Sequence, residues 1–475
     1  MEKIYLQLKE IVGAGYVSND PEELFIYSRD MGTMAPSFPD MVVMPDSTDD
    51  VRKIVLLANR EGIPIVPMGG GLVLSGLSRP LKGGIVLDMK RMNRILEVNE
   101  TSRYALVEAG TSQGMLQAYL KKHHPKLKHS IPDAPPIATV GGNVLIHGSG
   151  HLSHAAGFHS DMLNGMEVVL PTGKVVRIGS CSTSPYWFSR APLPDLAGLF
   201  LGWMGTTGIV TKLAIKLFPN RSLSDVAIFL TEDPQLVPDI LHRITGVQIA
   251  EDVTAWMAPK PDWARDFQHV IINYTADSQE ELTWKRKLLY AAPRQYINDK
   301  TGGFMPLPPN MKKSFMEAPG TNLTIFADVK KGGGFEYVGG IMPIELFPEA
   351  YRVGIDIAER FNTTYSTGAR IIGAGHCMMF FYAYPFNRAD PLDVKRAQEA
   401  LEETNRAVLD MGGIPWKAEA PAQQEIMKRM DPNTLELMKQ VMEMLDPNGI
   451  MNPGNWEPTG QRGIEDREAI HNSGR

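Results

Sequence analysis

The stretch VPMGGGLVLSG, residues 66–76, constrains the fold of this chain more than any other part of its sequence. Three consecutive glycines follow the apolar segment IPIV, which predicts a strand. Glycine costs conformational entropy and has no side chain to pack, so such a run indicates that a ligand or another segment approaches the backbone closely. Leu77 and Ser78 stand where a P-loop requires Lys and Ser/Thr, and Pro80 follows where a Rossmann turn opens a helix. Both phosphate-binding turns are therefore excluded, and a plain strand-to-strand turn stays open.

Composition limits the class of protein further. The 475 residues, 43% of them apolar, are enough for two packed domains. A net charge of −6 gives no electrostatic basis for binding nucleic acid or an anionic membrane. The apolar runs are too short or too interrupted to span a bilayer, and the N-terminus turns acidic before any signal-peptide core. Cys181 and Cys377 are too few for a disulfide framework or a cysteine metal site. We expect a soluble, cytoplasmic protein.

The order of the predicted elements favours an α+β fold over a regular doubly wound sheet. The segments MVV and IPIVP predict parallel strands, joined by a helix that starts after Ser47 or Thr48 as N-cap and ends at Gly62. The segment GMEVVLPTGKVVRIG predicts a hairpin. Near residue 220 the pattern changes to long polar helices mixed with strands such as TNLTIFADV, which predicts a domain boundary. The polar tail after Trp456 predicts a frayed end.

Two further glycine-rich stretches accompany the first. They are APPIATVGGNVLIHGSG, residues 134–150, and GTTGIVT, residues 205–211. All three stand at predicted strand ends, where they can converge on one extended ligand. Backbone N–H groups in such turns can bind phosphates without any lysine. We call them the first, second and third glycine loops.

Six segments carry a family resemblance, and they cover most of the chain: MVVMPDSTDDVRKIVLLANREGIPIVPMGGG, VLDMKRMNRILEVNETSRYALVEAGTS, IPDAPPIATVGGN, NGMEVVLPTGKVVRIGS, GLFLGWMGTTGIVTKLAIKLFP and DPNGIMNPG. In this order they resemble the vanillyl-alcohol oxidase / p-cresol methylhydroxylase flavoproteins. The N-terminal half is also similar to the D-subunit of glycolate oxidase. The resemblance implies an FAD-binding domain of the p-cresol methylhydroxylase type at 1–220. An α+β cap at 221–425 would be inserted before a C-terminal segment, 426–475, that returns to the FAD domain.

The resemblance also implies where FAD binds. The triple glycine would cradle the pyrophosphate, and the other two loops would approach the phosphates, the flavin and the adenine end. Neither the first loop nor the cap segment EYVGGIMPIEL contains a histidine for covalent attachment; Tyr337 is the one nearby nucleophile, and non-covalent FAD is favoured. The implied FAD-binding residues are Met68, Gly69, Gly70, Gly71, Leu72, Val73, Ser75, Thr139, Val140, Gly141, Gly142, Asn143, Gly150, Gly208, Ile209, Val210 and Asn452.

Substrate residues follow from the resemblance with some departures. Asp133 of IPDAPP matches the family acid beside flavin N5, although an aspartate before prolines is also common in turns. The Tyr-Arg pair with which phenol-oxidising members hold a phenolate is replaced by Trp416 and Lys417. Lysine can still neutralise an anion as a point charge, and the alternative is a solvated surface lysine. A further tyrosine is replaced by Ala155 or Ala156.

Histidines and tyrosines add further candidates. His376, on a predicted strand, matches a cap position that faces the flavin, and Tyr384 on the same strand predicts either pocket lining or core packing. Four histidines within 13 residues suggest a metal, a substrate-side role or neither: His147, His151, His154 and His159. Since the matching metal ligands of glycolate-type relatives are absent, we expect no metal.

The resulting functional hypothesis is an FAD-dependent oxidoreductase. It would abstract hydride from an aromatic alcohol or an alkylphenol-like substrate, with oxygen or a redox protein as electron acceptor. A 2-hydroxy-acid dehydrogenase and a flavin subunit of a larger electron-transfer complex are the alternatives. A homo-oligomer without nucleic acid or a membrane span is expected.

Overall fold

The computed structural model describes residues 1–74, 76–260, 267–298, 302–316 and 332–457. Ser75, the predicted strand TNLTIFADV and the polar tail from residue 458 lie outside the described residues. None of the helices in these ranges is both long and apolar enough to cross a membrane.

A small, mostly parallel sheet forms first. Its strands are β1 (Val17–Ser18), β2 (Met41–Val43), β3 (Ile65–Met68) and β4 (Ile85–Asp88), in the order β1-β2-β4-β3. Strands β2, β3 and β4 are parallel, with α1 (Glu2–Val12), α2 (Pro21–Tyr27) and the crossover helix α3 (Thr48–Glu61) around them. Ser47 caps α3 by accepting from the Asp50 N–H at 3.1 Å, and Gly62 ends it in the left-handed region. This confirms the predicted strand–helix–strand unit.

An antiparallel sheet follows in the order β5-β6-β10-β8-β9. Strands β8 and β9 are the predicted hairpin, closed by the Gly173 N–H donating to the Leu170 carbonyl at 2.8 Å. A two-stranded ribbon, β7 with β11, lies beside this sheet. The strands of the sheet and of the ribbon, with the helices between them, are β5 (Ile95–Asn99), β6 (Tyr104–Glu108), α4 (Gln113–His123), β7 (Leu127–Lys128), α5 (Val140–Leu145), α6 (Ser153–Ala156), β8 (Leu163–Val169), β9 (Val175–Gly179), β10 (Ile209–Lys216) and β11 (Phe218–Pro219).

A large antiparallel sheet, the cap sheet, is formed by later residues in the order β15-β12-β14-β13-β17-β18-β16-β19. Its strands are β12 (Leu223–Thr231), β13 (Asp252–Lys260), β14 (Gln268–Ala276), β15 (Gly303–Met305), β16 (Gly334–Met342), β17 (Tyr365–Ile372), β18 (Cys377–Phe386) and β19 (Ile414–Trp416). The accompanying helices are α7 (Val237–Gly246), α8 (Gln279–Ala291), α9 (Pro309–Met316), α10 (Phe347–Arg360), α11 (Pro391–Asp410), α12 (Ala420–Arg429) and α13 (Pro432–Leu445).

The cap sheet has two different faces because side chains alternate along each strand. One face packs on α10 and α11 and buries an apolar core that includes Phe380, Tyr382 and Tyr384. The opposite face meets the loops of the N-terminal part: the Arg370 guanidinium binds the Asp133 carboxylate. We call this second side the pocket face.

After α13 the chain returns to the first sheet. The Ile65 N–H donates to the Ile450 carbonyl at 2.7 Å, and the Asn452 N–H donates to the Ile65 carbonyl at 2.8 Å. Met451 thereby extends the sheet beside β3 as a parallel bridge. The predicted α+β fold, with a cap inserted before a C-terminal segment that returns to the first sheet, is confirmed, whereas the limits at 220 and 425 stay predictions.

Candidate active site

The three glycine loops meet beside β3. A Cβ added at Gly70 would lie 2.8 Å from the Ile137 carbonyl oxygen, so the first loop rests directly on the second. One added at Gly205 would lie 2.7 Å from Cγ of Pro67, which places the third loop against the strand that leads into the first. The close approach indicated by the triple glycine is therefore partly between the loops themselves. At Gly70 it is the second loop, rather than a ligand, that excludes a side chain.

The first loop also offers a row of backbone donors. The N–H groups of residues 69–74 donate to no acceptor in the part of the chain that the structure describes. Gly71 is left-handed, with φ of 67°, and Met68 packs beneath it, while Leu72 and Val73 are half-buried. Successive N–H groups in such a turn form a concavity that binds anions. The loop is therefore suited to a diphosphate.

The second loop is held by its own side chains. Thr139 caps α5, its hydroxyl accepting from the Gly142 N–H at 3.2 Å. Val140 and Gly141 are buried, and a Cβ at Gly141 would lie 2.6 Å from the Ala109 carbonyl oxygen. Gly142 and Asn143 are half-exposed, whereas Gly150 is buried against His159. Among the predicted FAD-binding residues of this loop, the accessible ones are therefore Gly142 and Asn143.

The third loop joins the C-terminal segment. Asn452 donates from Nδ2 to the Met204 carbonyl at 2.6 Å, while its Oδ1 is buried without a partner among the described residues. The Thr207 hydroxyl is a second buried oxygen of this kind. Gly208 packs on β8, and the buried pair Ile209–Val210 opens β10. The three loops and Asn452 are brought together as the sequence indicated.

Three aromatic rings line the pocket face. Tyr337 and Phe381 stack with ring centroids 5.7 Å apart and an interplanar angle of 16°. Trp416 meets Tyr337 edge-on at 6.1 Å, and its indole N–H donates to the Ile146 carbonyl of the second loop. We call Tyr337, Phe381 and Trp416 the aromatic wall. The hydrogen bond to Ile146 fixes this wall against the loops.

Lys417 lies on the aromatic wall. Its ammonium is 4.0 Å from the Trp416 ring centroid and 5.5 Å from that of Tyr337. Burial lowers the pKa of Lys417 to about 8. No carboxylate of the described ranges forms an ion pair with this ammonium, so it is a half-buried cation that can accept an anionic ligand.

Asp133 is held between the Arg370 guanidinium and the His151 imidazole. Its Oδ2 accepts from Arg370 Nη2 at 2.7 Å, and its Oδ1 pairs with His151 Nε2 at 2.8 Å. Arg370 is only 7% exposed and also forms a two-pronged pair with Asp252, at 3.0 and 2.9 Å. Although partial burial opposes it, the charge of Arg370 and the contact with His151 hold the pKa of Asp133 well below its ordinary range. The carboxylate therefore stays ionised.

Two family models match this chain: "FAD binding domain" over residues 39–179 and "FAD linked oxidases, C-terminal domain" over residues 340–456. The chain is an FAD-linked oxidoreductase. The glycolate oxidase subunit GlcD of Bacillus subtilis is 32% identical over 246 residues, which are half of this oxidoreductase and half of that relative. The chain thus spans only half the length of that relative.

Solved structures show the same fold over the whole length. The 4-ethylphenol oxidase from Gulosibacter chungangensis is 22% identical, with a TM-score of 0.83 over 97% of this oxidoreductase and 98% of that chain. p-Cresol methylhydroxylase with substrate bound is 19% identical, with a TM-score of 0.85 over 98% of each chain. At these identities the likeness establishes the fold alone.

FAD is the cofactor of this family. The three glycine loops together with Asn452, which we call the glycine cradle, suit this cofactor. The donors at residues 69–74 would hold the diphosphate, and the bare glycines leave room for it. Gly142 and Asn143 would face it from the second loop. The unpartnered oxygens of Thr207 and Asn452 offer acceptors beside the third loop. The FAD-binding roles of individual residues stay predictions.

Two predicted substrate residues of this oxidoreductase lie away from the pocket face. His376 is exposed in the turn that precedes β18, because Gly373–Gly375 form a short 3₁₀ turn; its predicted position on a strand is wrong. Tyr384 is buried on the helix side of the cap sheet, and its hydroxyl lies 2.7 Å from Thr404 Oγ1. Core packing, one of the two predicted alternatives, is the observed role of Tyr384.

The four histidines His147, His151, His154 and His159 have different partners and surroundings. His151 pairs with Asp133, and His147 Nδ1 lies 2.8 Å from Ser160 Oγ. His154 is buried, and burial lowers the pKa of His159 to about 3, so that ring is neutral. In the ranges that the structure describes, no group of three or more His, Cys, Asp or Glu side chains could hold a metal.

Arg370 and Asp252 were missed by the sequence analysis. Arg370 stands alone as a charge within the strand YSTGARII, a position where burial demands a carboxylate partner. The sequence therefore contained a signal that Arg370 is paired. The partners of Arg370 could not be predicted, since Asp133 and Asp252 lie 237 and 118 residues away along the chain.

Proposed function

We propose that this oxidoreductase oxidises a hydroxylated aromatic substrate that binds as an anion. The observation that carries the proposal is the aromatic wall, which has the unpaired ammonium of Lys417 against it and Arg370 and Asp133 nearby. Flat rings offer a large apolar contact area at low entropic cost. A substrate ring would pack on this wall.

Lys417 would bind the substrate anion, a phenolate or a carboxylate. An ammonium on two aromatic rings is desolvated but not neutralised, so an incoming anion replaces the lost hydration. The Lys417 backbone is left-handed, with φ of 56°, which fixes where the side chain starts. The expected substrate therefore carries a negative charge that Lys417 can neutralise.

Asp133 would act near the reacting carbon. Bound FAD supplies the hydride acceptor. The ionised carboxylate of Asp133 would stabilise the positive charge that develops on the substrate as the hydride leaves. Arg370 holds that carboxylate in place and is itself balanced by Asp252. Catalysis would thus depend on a fixed charge that needs no rearrangement during the reaction.

The comparisons support an aromatic substrate. The names of the two solved neighbours are those of a 4-ethylphenol oxidase and a p-cresol methylhydroxylase, and they align over nearly the full chain, cap included. By the resemblance in sequence, Trp416 and Lys417 stand where phenol-oxidising members of the family have a Tyr-Arg pair. A point charge in place of a planar fork makes fewer demands on the shape of the anion.

FAD would bind without a covalent bond. Gly, Leu and Val are the residue types at 69–74, and none can attach the cofactor. Tyr337 is the nearest nucleophile of the cap segment, and its hydroxyl lies 3.9 Å from Met379 Sδ. We expect FAD to remain in the supernatant after acid precipitation. Yellow colour in the washed pellet would contradict non-covalent binding.

A 2-hydroxy-acid substrate is the second candidate. The 32% identity to the glycolate oxidase subunit favours it. That match covers half the chain, its N-terminal half, and so does not reach the aromatic wall. An acid of two or three carbons could bind Lys417 but would leave the rings uncovered.

Anaerobic flavin bleaching discriminates between the two candidates. We expect 4-hydroxybenzyl alcohol and 4-ethylphenol to reduce the flavin faster than lactate or glycolate at equal concentration. Faster reduction by a hydroxy acid would move the assignment to the second candidate. The electron acceptor and the oligomeric state stay predictions.

A further inference from the structure

We propose that His151 is the base that takes the hydroxyl proton of an alcohol substrate and that Asp133 orients it. This inference rests on the proposed function and deepens it, because it selects a class of substrate. The class is an aryl alcohol, whose oxidation releases a proton from oxygen as well as a hydride from carbon.

The hydrogen bond to Asp133 fixes the tautomer of His151. An ionised carboxylate can only accept, so the hydrogen in the 2.8 Å contact belongs to His151 Nε2. The neutral ring therefore carries its lone pair on Nδ1. That atom has no hydrogen-bond partner among the described residues, and it is not among the fully enclosed polar atoms. A base with an accessible lone pair and an oriented ring is the arrangement that proton abstraction requires.

Asp133 is poorly suited to be the base itself. Both of its oxygens are engaged, one by His151 and one by Arg370. The charge of Arg370 and the N–H of His151 both favour its ionised form, so it has little tendency to accept a proton. Although burial opposes it, the charge of Asp133 2.8 Å away raises the pKa of His151, so the neutral form that can act as a base prevails only above that pKa.

The backbone around His151 is held on both sides. Its N–H donates to the Ile131 carbonyl at 3.0 Å, and the Leu152 N–H donates to Ser130 Oγ at 3.3 Å. These bonds tie His151 to residues 130–131, just before Asp133. The acid and the histidine are therefore positioned by one local network.

The substrate carbon loses a C–H bond, and the hydrogen leaves with both electrons to the oxidised flavin. The O–H bond breaks, its proton passes to His151 Nδ1, and its electron pair forms the C=O bond of an aldehyde. A 4-alkylphenolate has no hydroxyl on the carbon that loses hydride, so its flavin reduction does not need His151.

The test compares two substrates in stopped-flow flavin reduction of the holoenzyme: 4-hydroxybenzyl alcohol and 4-ethylphenol. His151→Gln keeps a side-chain N–H toward Asp133 but removes the base. We expect reduction by the alcohol to slow by roughly 10²–10⁴-fold, the usual contribution of a general base, and reduction by 4-ethylphenol to change less than about threefold. His242→Gln, an exposed histidine on α7, is the matched control and should leave both rates unchanged.

The pH profile adds a readout that a structural role would not affect. The charged or titratable groups around His151 are Asp133 from its own loop region, Asp252 on β13, Arg370 on β17 and His159. Since only neutral His151 can accept a proton, the alcohol rate should rise with pH through the His151 titration. That inflection should vanish in His151→Gln. Equal slowing of both substrates, or of neither, would overturn the proposal.

Histidine NMR of the holoenzyme gives a second readout without turnover. Imidazole ¹⁵N resonances of His151, assigned by their loss in His151→Gln, should show the neutral ring protonated at Nε2. Protonation at Nδ1 overturns the assignment of the base. If the unmodified protein is reduced by neither aromatic substrate, the proposed function fails, and the tautomer alone then decides for or against His151.

Discussion

The glycine cradle and the pocket face are built in opposite ways. The cradle consists of backbone: its donors are N–H groups, and its shape is set by the absence of side chains at Gly69, Gly70 and Gly71. The pocket face consists of side chains from β16–β19, the residue after β19 and one distant loop. A cofactor shared by a family suits a cradle of backbone, while a substrate is recognised by side chains that can be exchanged one at a time. Substitutions in the two regions should therefore have different effects on cofactor binding and on substrate oxidation.

Gly70→Val should have the largest effect, because it places two methyl groups where the Ile137 carbonyl oxygen stands 2.8 Å from an added Cβ. The backbone cannot yield as a flexible side chain would. We expect the purified variant to contain no FAD, measured as flavin absorbance per protein after desalting. Gly15→Ala is the control, since nothing lies within 4 Å of its added Cβ. Full FAD content in Gly70→Val would show that the loops are not in register as described.

Arg370→Met should cost the most stability on the pocket face. It removes the one cation between Asp252 and Asp133, and breaking a buried pair costs about 3–5 kcal/mol. Urea unfolding of the holoprotein measures the loss. Arg360→Met removes an exposed partner of Glu403 and should cost less than about 1 kcal/mol. Equal losses in the two variants would mean that the buried network contributes no more than a surface pair.

The sequence predicted the cradle better than the pocket for the same physical reason. Caps, turns and glycine runs are local signals, so α3, the hairpin β8–β9 and the convergence of the loops could be derived. Alternation along β18 predicts two faces but not which one meets the core. For that reason the sequence could not decide between pocket lining and core packing for Tyr384. The Asp133–Arg370–Asp252 network depends on three distant segments, and no local pattern records such a pairing.

Asp133→Ala should slow flavin reduction by an aromatic substrate by roughly 10²-fold, the range expected for a positioned electrostatic or acid–base group. FAD content should be unchanged, because the backbone donors at residues 69–74 do not involve this side chain. Stopped-flow reduction and flavin absorbance measure the two quantities on one preparation. Loss of FAD together with activity would mean that the glycine cradle depends on the pocket face and that the two regions are not independent.

Lys417→Met should have the smallest and most selective effect. Removing a charged hydrogen-bond donor should weaken the binding of an aromatic anion such as benzoate by about 1.5–3 kcal/mol, whereas neutral benzamide should bind nearly as before. The charged lysine that holds the anion is present below its pKa of about 8 and is lost as pH rises through that value. Benzoate stays ionised over this range, so its affinity for the unmodified protein should fall between pH 7 and 9, and the variant should show no such fall. Titration of each ligand against the flavin absorbance measures both, with the exposed Lys395→Met as control. A pH-independent benzoate affinity in the unmodified protein would remove Lys417 from the substrate pocket.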